Sequence, residues 1–532
     1  MAFKNRRIPS VQSRAQHVFS RSPQAKIPRS SFNRSFNVKT TFDAGYLVPI
    51  LVDEMLPGDT FNLNMTGFAR LATPIFPVMD NMYMDTFFFS VPVRLVWDNW
   101  EKFNGFQENP GDSTDYLVPQ ILMPNFTGAA ELSLADYFGI PTKVAELPVN
   151  SLHFRAYNLI WNEWFRSQDL QDSVVVDKDD GPDTYSDYVL LRRGKRHDYF
   201  TSCLPFPQKG PDVTLPLAGN APIYGDGDAI NLVHGGGEAL MTATTGVSSG
   251  SLGWSGATLA APSNVSLSPT FASGYADLSG VSAATVNDLR LAFQTQKLYE
   301  RDARGGTRYT EVIQNHFGVV SPDMRLQRPE YLGGSSTPVS ITPVAQTAPT
   351  SGSNALGDLA AVGTCVPHGH GFTYSATEHC LIIGLVSVRA DLNYQFGLDR
   401  MWSRRTRLDY YWPALSHIGE QAVLNKEIYA QIGAVNDEVF GYQERFAEYR
   451  YKPSLITGRF RSNAVASLDA WHLAQDFDSL PLLNDEFIVE EPPMARIKAV
   501  TTEPDFIFDC FFSYKCVRPM PVYSVPGLID HF

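Results

Sequence analysis

Apolar and polar residues alternate in two segments near opposite ends of the chain. FFFSVPVRL, residues 87–95, places Phe, Val and Leu at every second position, and DFIFDCFFSYKC, residues 505–516, repeats the pattern. A period of two predicts strands with one face on a core. HCLIIGLVSVRA, residues 379–390, is instead a continuous apolar run, which is typical of a central strand buried on both faces.

Two segments between these strands have the spacing of amphipathic helices. VNSLHFRAYNLIWNEWFRSQ, residues 149–168, places its large apolar residues three and four apart. TVNDLRLAFQTQKLYERDARGG, residues 285–306, opens with Thr285 and Asp288 in capping-box spacing. Strands far apart in sequence, with helices in their connections, predict a mainly β sandwich or barrel with elaborated loops, because βαβ units would repeat regularly.

The composition changes between Lys209 and Arg290, where no Lys or Arg occurs. Twelve glycines fall within residues 211–283, which indicates an exposed segment rather than part of a core. A flexible linker is one interpretation, but the length favours a surface insertion with some structure of its own over residues 212–284. Three aromatic residues in this segment also favour an insertion: Trp254, Phe271 and Tyr275. A shorter Gly-, Ser- and Thr-rich stretch, residues 333–358, predicts a second exposed loop.

The net charge of −13 hides an asymmetry along the chain. Residues 1–42 contain no acidic residue and nine basic ones, namely Lys4, Arg6, Arg7, Arg14, Arg21, Lys26, Arg29, Arg34 and Lys39. The rest of the chain has 34 Lys and Arg against 56 Asp and Glu, so a basic arm precedes an acidic body. The arm is too polar to fold alone, and such arms commonly bind nucleic acid or an acidic partner. A disordered tail or a targeting peptide is the alternative interpretation.

The five cysteines do not have the spacing of a secreted disulfide scaffold. Cys510 and Cys516 share one face of a predicted strand but lie about 20 Å apart, at roughly 3.3 Å per residue, too far for a disulfide. Reduced thiols in a cytosolic setting are the simpler interpretation. The N-terminal residues contain no apolar signal segment, and no run of about eighteen apolar residues occurs. We therefore expect neither secretion nor a membrane span.

The segment KRHDYFTSC, residues 195–203, has residue types that could form a nucleophilic site. A catalytic thiol needs an oriented base or a helix N-terminus to lower its pKa. His197 and Asp198 are adjacent, so in an extended chain they point to opposite faces, and a proline-rich run rather than a helix follows Cys203. The pattern favours a structural role for this cysteine.

A second group of potential ligands lies in CVPHGHGFTYSATEHC, which contains Cys365, His368, His370, His379 and Cys380. The spacing of Cys365 and His368 is compatible with zinc, but no second C-x2-C or H-x3-H pair completes a closed site. The phosphate-binding, dinucleotide-binding, HExxH and GxSxG motifs do not occur in the sequence. We therefore predict no enzyme, no metal site and no cofactor.

Two basic segments interleave arginine with aromatic residues: MWSRRTRLDYYWP, residues 401–413, and ERFAEYRYKPSLITGRFRS, residues 444–462. Arginine beside stacking rings suits single-stranded nucleic acid. Six residues are therefore candidate DNA or interior contacts, together with the arm: Arg404, Arg405, Arg450, Lys452, Arg459 and Arg461. Ion pairs at subunit interfaces are the alternative, because acidic residues are abundant.

Five long segments carry a family resemblance. They are KTTFDAGYLVPILVDEMLPGDTF (39–61), HDYFTSCLPFPQKGP (197–211), LRLAFQTQKLYERDARGGTRYTEVIQNHFGV (289–319), FGYQERFAEYRYKPSLITGRFRS (440–462) and RPMPVYSVPGLIDHF (518–532). Together they resemble the major capsid protein of the Microviridae, small single-stranded DNA bacteriophages, and specifically the gokushovirus branch. The segments span nearly the whole chain in order, which makes the resemblance specific.

The resemblance implies a fold and an assembly. The family fold is an eight-stranded antiparallel jelly roll with long inserted loops and a few helices, and about sixty copies form a T=1 icosahedral shell around circular single-stranded DNA. The expected function is a structural capsid protein of the virion, assembled in the bacterial host cytoplasm. Expected partners are other copies, the viral DNA, a small basic DNA-binding protein, an internal scaffolding protein, a minor pilot protein and a host cell-surface receptor.

The resemblance also divides the chain. Residues 1–42 would be a basic, largely extended arm on the interior, and residues 43–211 the first part of the jelly-roll core with helical insertions. Residues 285–532 would complete the core and supply long interface loops. Residues 212–284 match the position of an insertion that projects at the three-fold axes in this branch. Its aromatic residues become candidate protrusion or host contacts: Trp254, Phe271 and Tyr275.

Overall fold

The structure is a computed structural model that describes residues 28–213, 223–224, 231–234, 237–240, 266–267, 275–276, 286–320, 327–347 and 357–523. The chain divides into two compact units. One consists of Met1–Pro207 together with Gly305–Phe532, and the other of Gln208–Arg304. Two large β-sheets lie in the first unit.

The protein is mainly β with few helices, as the sequence predicted. In chain order the strands are β1 (Ser30–Asn33), β2 (Phe36–Phe42), β3 (Val48–Met55), β4 (Thr60–Leu71), β5 (Met82–Pro92), β6 (Gln120–Leu122), β7 (Pro148–Asn150), β8 (Ile223–Tyr224), β9 (Asn231–His234), β10 (Gly237–Leu240), β11 (Ser266–Leu267), β12 (Tyr275–Ala276), β13 (Glu330–Pro338), β14 (Ser340–Ala345), β15 (Leu359–Cys365), β16 (His368–Ser375), β17 (Cys380–Ala390), β18 (Asn393–Tyr394), β19 (Glu420–Leu424), β20 (Val439–Glu444), β21 (Ser454–Leu455) and β22 (Phe506–Arg518). The α-helices are Trp100–Phe103, Leu134–Tyr137, Leu152–Ile160, Val286–Arg304, Tyr309–Phe317, Asn425–Ile428 and Asp485–Ile488, and a π-helical turn, Trp161–Phe165, extends the third.

Two antiparallel sheets form the centre of the first unit. In the seven-stranded sheet the order is β1-β22-β4-β15-β14, with β2 also paired to β22 and β16 to β4. In the four-stranded sheet the order is β13-β5-β17-β3. β22 and β4 pair from Phe506 opposite Leu71 to Val517 opposite Thr60. A strand from the C-terminal part of the chain is therefore central in the larger sheet.

The main hydrophobic core contains apolar residues of both sheets. In β22 buried and exposed residues alternate strictly up to Cys516, as the period of two predicted. Phe506 and Phe508 of β22 are fully buried, and the Phe42 ring of β2 stacks on Phe506 at 5.6 Å between centroids. These rings share one cluster with Ile382 and Val386 of β17. Burying each such side chain contributes roughly 1.5–3 kcal/mol, so this core is a principal source of stability.

The two inner strands of the four-stranded sheet, β5 and β17, are buried on both faces. Every residue of β17 is buried, which confirms the prediction from its continuous apolar run. Its residues alternate between two cores, because Ile382 belongs to the cluster that also contains β22, while Leu381 and Ile383 pack in a second cluster. That second cluster also contains the apolar side chains of the helix Leu152–Ile160.

The prediction of a one-faced strand over residues 87–95 was wrong in two respects. The strand ends at Pro92, and residues Val93–Leu95 form a 3-10 turn. Phe88 and Phe89 are both buried, although they point to opposite faces. The cause lies in the tertiary structure. The helix Leu152–Ile160 and other residues of the connections pack on the face of β5 that contains Phe89, so this face is not exposed to solvent.

Residues 333–338 and 340–345 form strands rather than the predicted loop, although most residues of β14 are exposed as expected. Residues 348–356 of the predicted loop lie outside the described residues. β13 pairs with β5 along its length, and β14 forms a hairpin with β15. Main-chain hydrogen bonds to β5 hold the small residues of β13 that follow Leu332, and the Tyr331 ring packs against Phe89 of β5. A β-carbon at Gly334 would collide with the carbonyl oxygen of Thr86, so the glycine serves a close strand approach rather than a loop.

The last residues assigned to the basic arm are part of the fold. β1 and β2 both pair with β22, so the sheet begins at Ser30 rather than after residue 42. In the second unit, Val286–Arg304 forms the predicted helix, while Thr285 of the proposed capping box lies outside the described residues. Short strands accompany the helix, in the sheet β10-β9-β11 and the pair β12-β8.

Candidate interior and subunit-contact surfaces

The described cations of the basic arm are engaged within the chain. Arg34 makes a two-pronged ion pair with Asp53, at 2.5 and 3.1 Å between guanidinium nitrogen and carboxylate oxygen. Lys39 Nζ lies 2.8 Å from a carboxylate oxygen of Asp509. Arg29 donates to a backbone carbonyl and to a threonine hydroxyl. These contacts fasten the start of the fold to both sheets, because Asp53 lies in β3 and Asp509 in β22. A role of the three residues in contacting DNA stays a prediction.

The first basic segment contains an arginine that is stacked and paired. The Arg404 guanidinium lies 4.3 Å from the centroid of the Tyr449 ring and donates to Glu448 at 3.4 Å. Arg405 is exposed, and its backbone N–H donates to Asp409. Stacking plus a carboxylate partner fixes the orientation of Arg404 and neutralises its charge locally.

Two cations of the second basic segment are paired with carboxylates. Lys452 Nζ lies 2.6 Å from a carboxylate oxygen of Asp399, and Arg450 pairs with a glutamate of β20. Arg461 donates to a backbone carbonyl at 2.7 Å, while Arg459 is exposed. The ion pairs of Arg450 and Lys452 are formed within the chain. Neither pairing across a subunit interface nor DNA contact by these residues is tested by this geometry, and both stay predictions.

Several candidate residues fall outside the described part of the chain. They are Lys4, Arg6, Arg7, Arg14, Arg21, Lys26, Trp254 and Phe271. The backbone of Tyr275 is described in β12, where it pairs with Tyr224. The proposed roles of all these residues stay predictions.

Cys203 has the surroundings of a packed residue. Its Sγ donates to the Tyr199 carbonyl at 3.3 Å, and burial raises the pKa of the thiol. Asp198 does not orient His197. One Asp198 carboxylate oxygen accepts backbone N–H bonds in a tight turn, and the other accepts from the Tyr394 hydroxyl at 2.6 Å. A nucleophile needs a lowered thiol pKa, so these contacts exclude the arrangement considered for a catalytic site.

The histidines and cysteines of residues 365–380 do not converge. Both ring nitrogens of His370 are engaged by threonine hydroxyls, at 2.8 Å to Thr86 and 2.8 Å to Thr337. His379 packs edge-on against the Trp100 ring. In the described part of the chain, no three His, Cys, Asp or Glu side chains are grouped so as to hold a metal ion.

The structure forms an aromatic pocket that the sequence did not reveal. It is lined by Tyr199, Phe200, Tyr394, Gly397, Asp399, Arg400, Glu427, Glu448, Tyr451, Lys452, Pro453, Ser454 and Leu455. At its base, Glu427 accepts from the Tyr199 hydroxyl at 2.8 Å and from Arg400 at 2.9 Å. Burial raises the pKa of Glu427, and the nearby Arg400 opposes part of that rise. The one feature of the sequence that could have indicated this pocket is the pair of aromatic residues, Tyr199 and Phe200, that follows Asp198.

Large apolar side chains are exposed at many places on the first unit. Ile432, Val465 and Phe126 are almost fully accessible to solvent, and Trp402 and Leu455 are more than half exposed. Aromatic residues are enriched at protein interfaces relative to the rest of the surface, so the exposed aromatic residues are candidates for subunit contacts. In the described residues, no helix has the length and apolar character needed to cross a membrane.

Comparison with known proteins agrees with a structural role. Residues 20–528 match the family described as capsid protein (F protein). The chain is 49% identical to capsid protein VP1 of Bdellovibrio phage phiMH2K, covering 97% of this chain and 98% of that protein. It is 45% identical to capsid protein VP1 of Chlamydia phage 1, covering 99% of each, and 37% identical to capsid protein VP1 of Spiroplasma virus 4, covering 96% and 97%.

These matches extend over almost the full length of each protein, so they confirm the resemblance to Microviridae capsid proteins. The family and these relatives are structural capsid proteins, so the protein is a structural component of the virion and not an enzyme. The chain belongs to the capsid protein (F protein) family of bacteriophages.

Proposed function

We propose that about sixty copies of this chain close into a T=1 icosahedral shell around a circular single-stranded DNA genome. The observation that carries the proposal is the match to capsid proteins of phages over at least 96% of the chain. Assembly would take place in the bacterial host cytoplasm.

We further propose that the building block is an eight-stranded jelly roll. Strands β2, β22, β4 and β16 supply four neighbours of one sheet, and β3, β17, β5 and β13 form the other. Taken in chain order, these eight strands cross to the opposite sheet at every step except from β5 to β13, which are neighbours in the same sheet. That winding is what two interlocked Greek keys require.

The exposed apolar residues support burial between copies. Aromatic residues are enriched at the centre of protein interfaces, so we expect exposed side chains such as Trp402 to be covered by other copies. Ile432 and Val465 lie in connections between strands rather than on the sheets. Inserted connections would therefore supply most of the contacts between subunits, while the sheets supply the rigid wall.

The basic arm supports an interior that holds DNA. Its attraction to phosphates would be independent of base sequence and would weaken with salt. Nine positive charges per copy, over about sixty copies, offset only a fraction of a genome of thousands of nucleotides. A small basic DNA-binding protein would supply further positive charge, and internal scaffolding and pilot proteins would be the other viral partners.

Residues 212–284 are our candidate for the outward projection at the three-fold axes and for contact with a host receptor. The absence of Lys and Arg from Gly210 to Leu289 and the glycine content suit an exposed surface. The candidate contact residues remain Trp254, Phe271 and Tyr275. Replacing residues 212–284 by a short linker should leave shells intact and abolish adsorption to the host.

Cryo-electron microscopy of purified particles tests the central proposal. We expect closed icosahedral shells with one copy per asymmetric unit and nuclease-protected single-stranded DNA inside. A protein that stays monomeric under all assembly conditions, including co-expression with its viral partners, would contradict it.

A further inference from the structure

A polar cavity of about 170 Å³ lies between the connection from β18 to β19 and the residues that follow β20. Ser403 and Arg404 line it from the connection, and Arg445 and Glu448 line it from the other side. A single water molecule needs roughly 10–15 Å³ of such space. The polar cavity therefore has room for a group of several heavy atoms.

Three hydrogen-bond donors in the lining have no acceptor within the described part of the chain: Ser403 Oγ, Arg404 Nε and Arg445 Nε. Other bonds fix the two guanidinium groups, because Arg404 donates to Glu448 at 3.4 Å and Arg445 donates to the Leu408 carbonyl at 3.1 Å. A buried donor without an acceptor is unfavourable. The three donors therefore favour an occupant that offers several acceptor oxygens.

The charges of the lining favour an anion. Four cations and three carboxylates line the polar cavity, which leaves an excess of one positive charge. Each carboxylate already accepts from a donor of the chain, Glu427 from Arg400, Glu448 from Gln421 and Asp409 from the backbone N–H of Thr406. A phosphate group of DNA has one negative charge and several acceptor oxygens, so it would neutralise the excess and leave these bonds in place.

Aromatic rings lie beside the arginines of the same connection. The Arg404 guanidinium lies 4.3 Å from the centroid of the Tyr449 ring and 5.5 Å from that of Tyr410, and both rings are about half exposed. Arg407 is exposed and lies 4.4 Å from the centroid of the Trp412 ring. Exposed rings next to arginine suit the faces of unpaired bases, which only single strands present.

We propose that the polar cavity binds a phosphate group of single-stranded DNA, and that the neighbouring base stacks on the Tyr410 ring. This inference rests on the proposed function, because it assigns part of the contact between shell and genome to one connection of the fold. The phosphate accepts from Ser403, Arg404 and Arg445. The contact is independent of base sequence, since every base has a face that can stack.

Oligonucleotide binding by unassembled full-length subunits tests the cavity. Fluorescence anisotropy measures the affinity for a labelled thymidylate strand of about 20 nucleotides and for a strand of equal length without bases. We expect Arg445→Gln to weaken the binding of both strands by about tenfold, because a charged donor to phosphate is lost. Arg192→Gln is the matched control, since Arg192 also stacks on a ring but pairs with Glu491, and its affinities should equal those of wild type.

A second pair of variants tests the stacking. Tyr410→Ala should weaken the binding of the thymidylate strand by about fivefold and leave the binding of the strand without bases unchanged. Phe126→Ala removes an exposed ring elsewhere and should change neither affinity. Thermal unfolding checks that the variants fold. If Arg445→Gln subunits are insoluble, Ser403→Ala takes their place, with an expected loss of about threefold for both strands.

Each other outcome has a definite meaning. Equal affinities of Arg445→Gln and Arg192→Gln subunits, or an equal loss for both strands with Tyr410→Ala, would overturn the inference. Wild-type affinities of Arg445→Gln and Tyr410→Ala together with a lower yield of shells would also overturn it, and would assign this surface to contacts between copies. Wild-type protein that binds the strands but forms no shells would count against the proposed function instead.

Discussion

At the scale of single residues, the first unit contains a buried charged network beside the second core. Arg155 and the Asp183 side chain are both fully buried, and Arg155 donates to both Asp183 carboxylate oxygens, at 2.8 and 2.5 Å. The Tyr188 hydroxyl donates to the same carboxylate at 2.6 Å. Hydrogen bonds to both carboxylate oxygens compensate for the hydration that Asp183 loses on burial. Removing one partner would leave a buried charge without compensation.

Replacing one partner of this network should be costly. We expect Arg155→Met to lower the free energy of unfolding by about 3–5 kcal/mol, because it leaves the Asp183 carboxylate buried without a cation. Urea unfolding of unassembled subunits, followed by tryptophan fluorescence, measures the change. Lys39→Met removes one side of the exposed pair with Asp509 and is the matched control, for which we expect little change. Equal effects of the two substitutions would contradict the prediction.

The cysteines should be unreactive in the folded protein. All five are free and buried, and burial raises the thiol pKa of Cys203 above its ordinary value. A raised pKa keeps the thiol protonated, so raising the pH to 8 should not generate the reactive thiolate. We expect a disulfide reagent to label no cysteine rapidly in the native protein and all five in denaturant. Rapid labelling of Cys203 in the native state would be inconsistent with its packed position.

At the scale of elements, the strand β2 separates the removable part of the N-terminus from the fold. It pairs with β22 from Phe36 opposite Phe512 to Phe42 opposite Phe506. Removing it would uncover the edge of a long, apolar strand, and uncovered edges aggregate. Deleting residues 1–27, by contrast, removes none of the contacts described above.

Two truncations test this boundary. A chain that starts at residue 28 should give soluble subunits that unfold at the same urea concentration as the full chain. A chain that starts at residue 43 should aggregate, because it lacks β1 and β2. Size-exclusion chromatography separates the two results. Soluble, folded subunits from the shorter chain would show that β2 is dispensable for the sheet.

At the scale of the whole molecule, the positive charge concentrated in the N-terminal arm should govern how strongly shells retain DNA. The six cations before residue 28 can be replaced together by glutamine: Lys4, Arg6, Arg7, Arg14, Arg21 and Lys26. We expect shells to form and to release their DNA at a lower salt concentration than wild-type shells, because fewer phosphates are neutralised. Nuclease sensitivity measured over a salt series follows the release. If the variant shells release their DNA at the same salt concentration as wild-type shells, the arm does not contribute to DNA retention.

The sequence by itself determined the mainly β class, the strands at 379–390 and 505–516 and the helices near 149–168 and 285–306, because period and local composition report which face of an element is buried. It also determined the family, since the matching segments run through the whole chain. It could not determine that β13 and β14 cover residues 333–338 and 340–345 of the stretch predicted as a loop, since main-chain pairing with a neighbouring strand does not depend on the residue type.

Only the tertiary structure decided which charges are paired and which aromatic residues meet. Lys452 and Asp399 are 53 residues apart, and Tyr199 and Tyr451 come from different thirds of the chain. Such contacts depend on how distant strands are brought together, which local periodicity does not encode. The basic segments therefore looked like DNA contacts in the sequence, while in the fold Arg404, Arg450 and Lys452 meet carboxylates of the same chain. Aromatic residues such as Tyr451 line a pocket beside them.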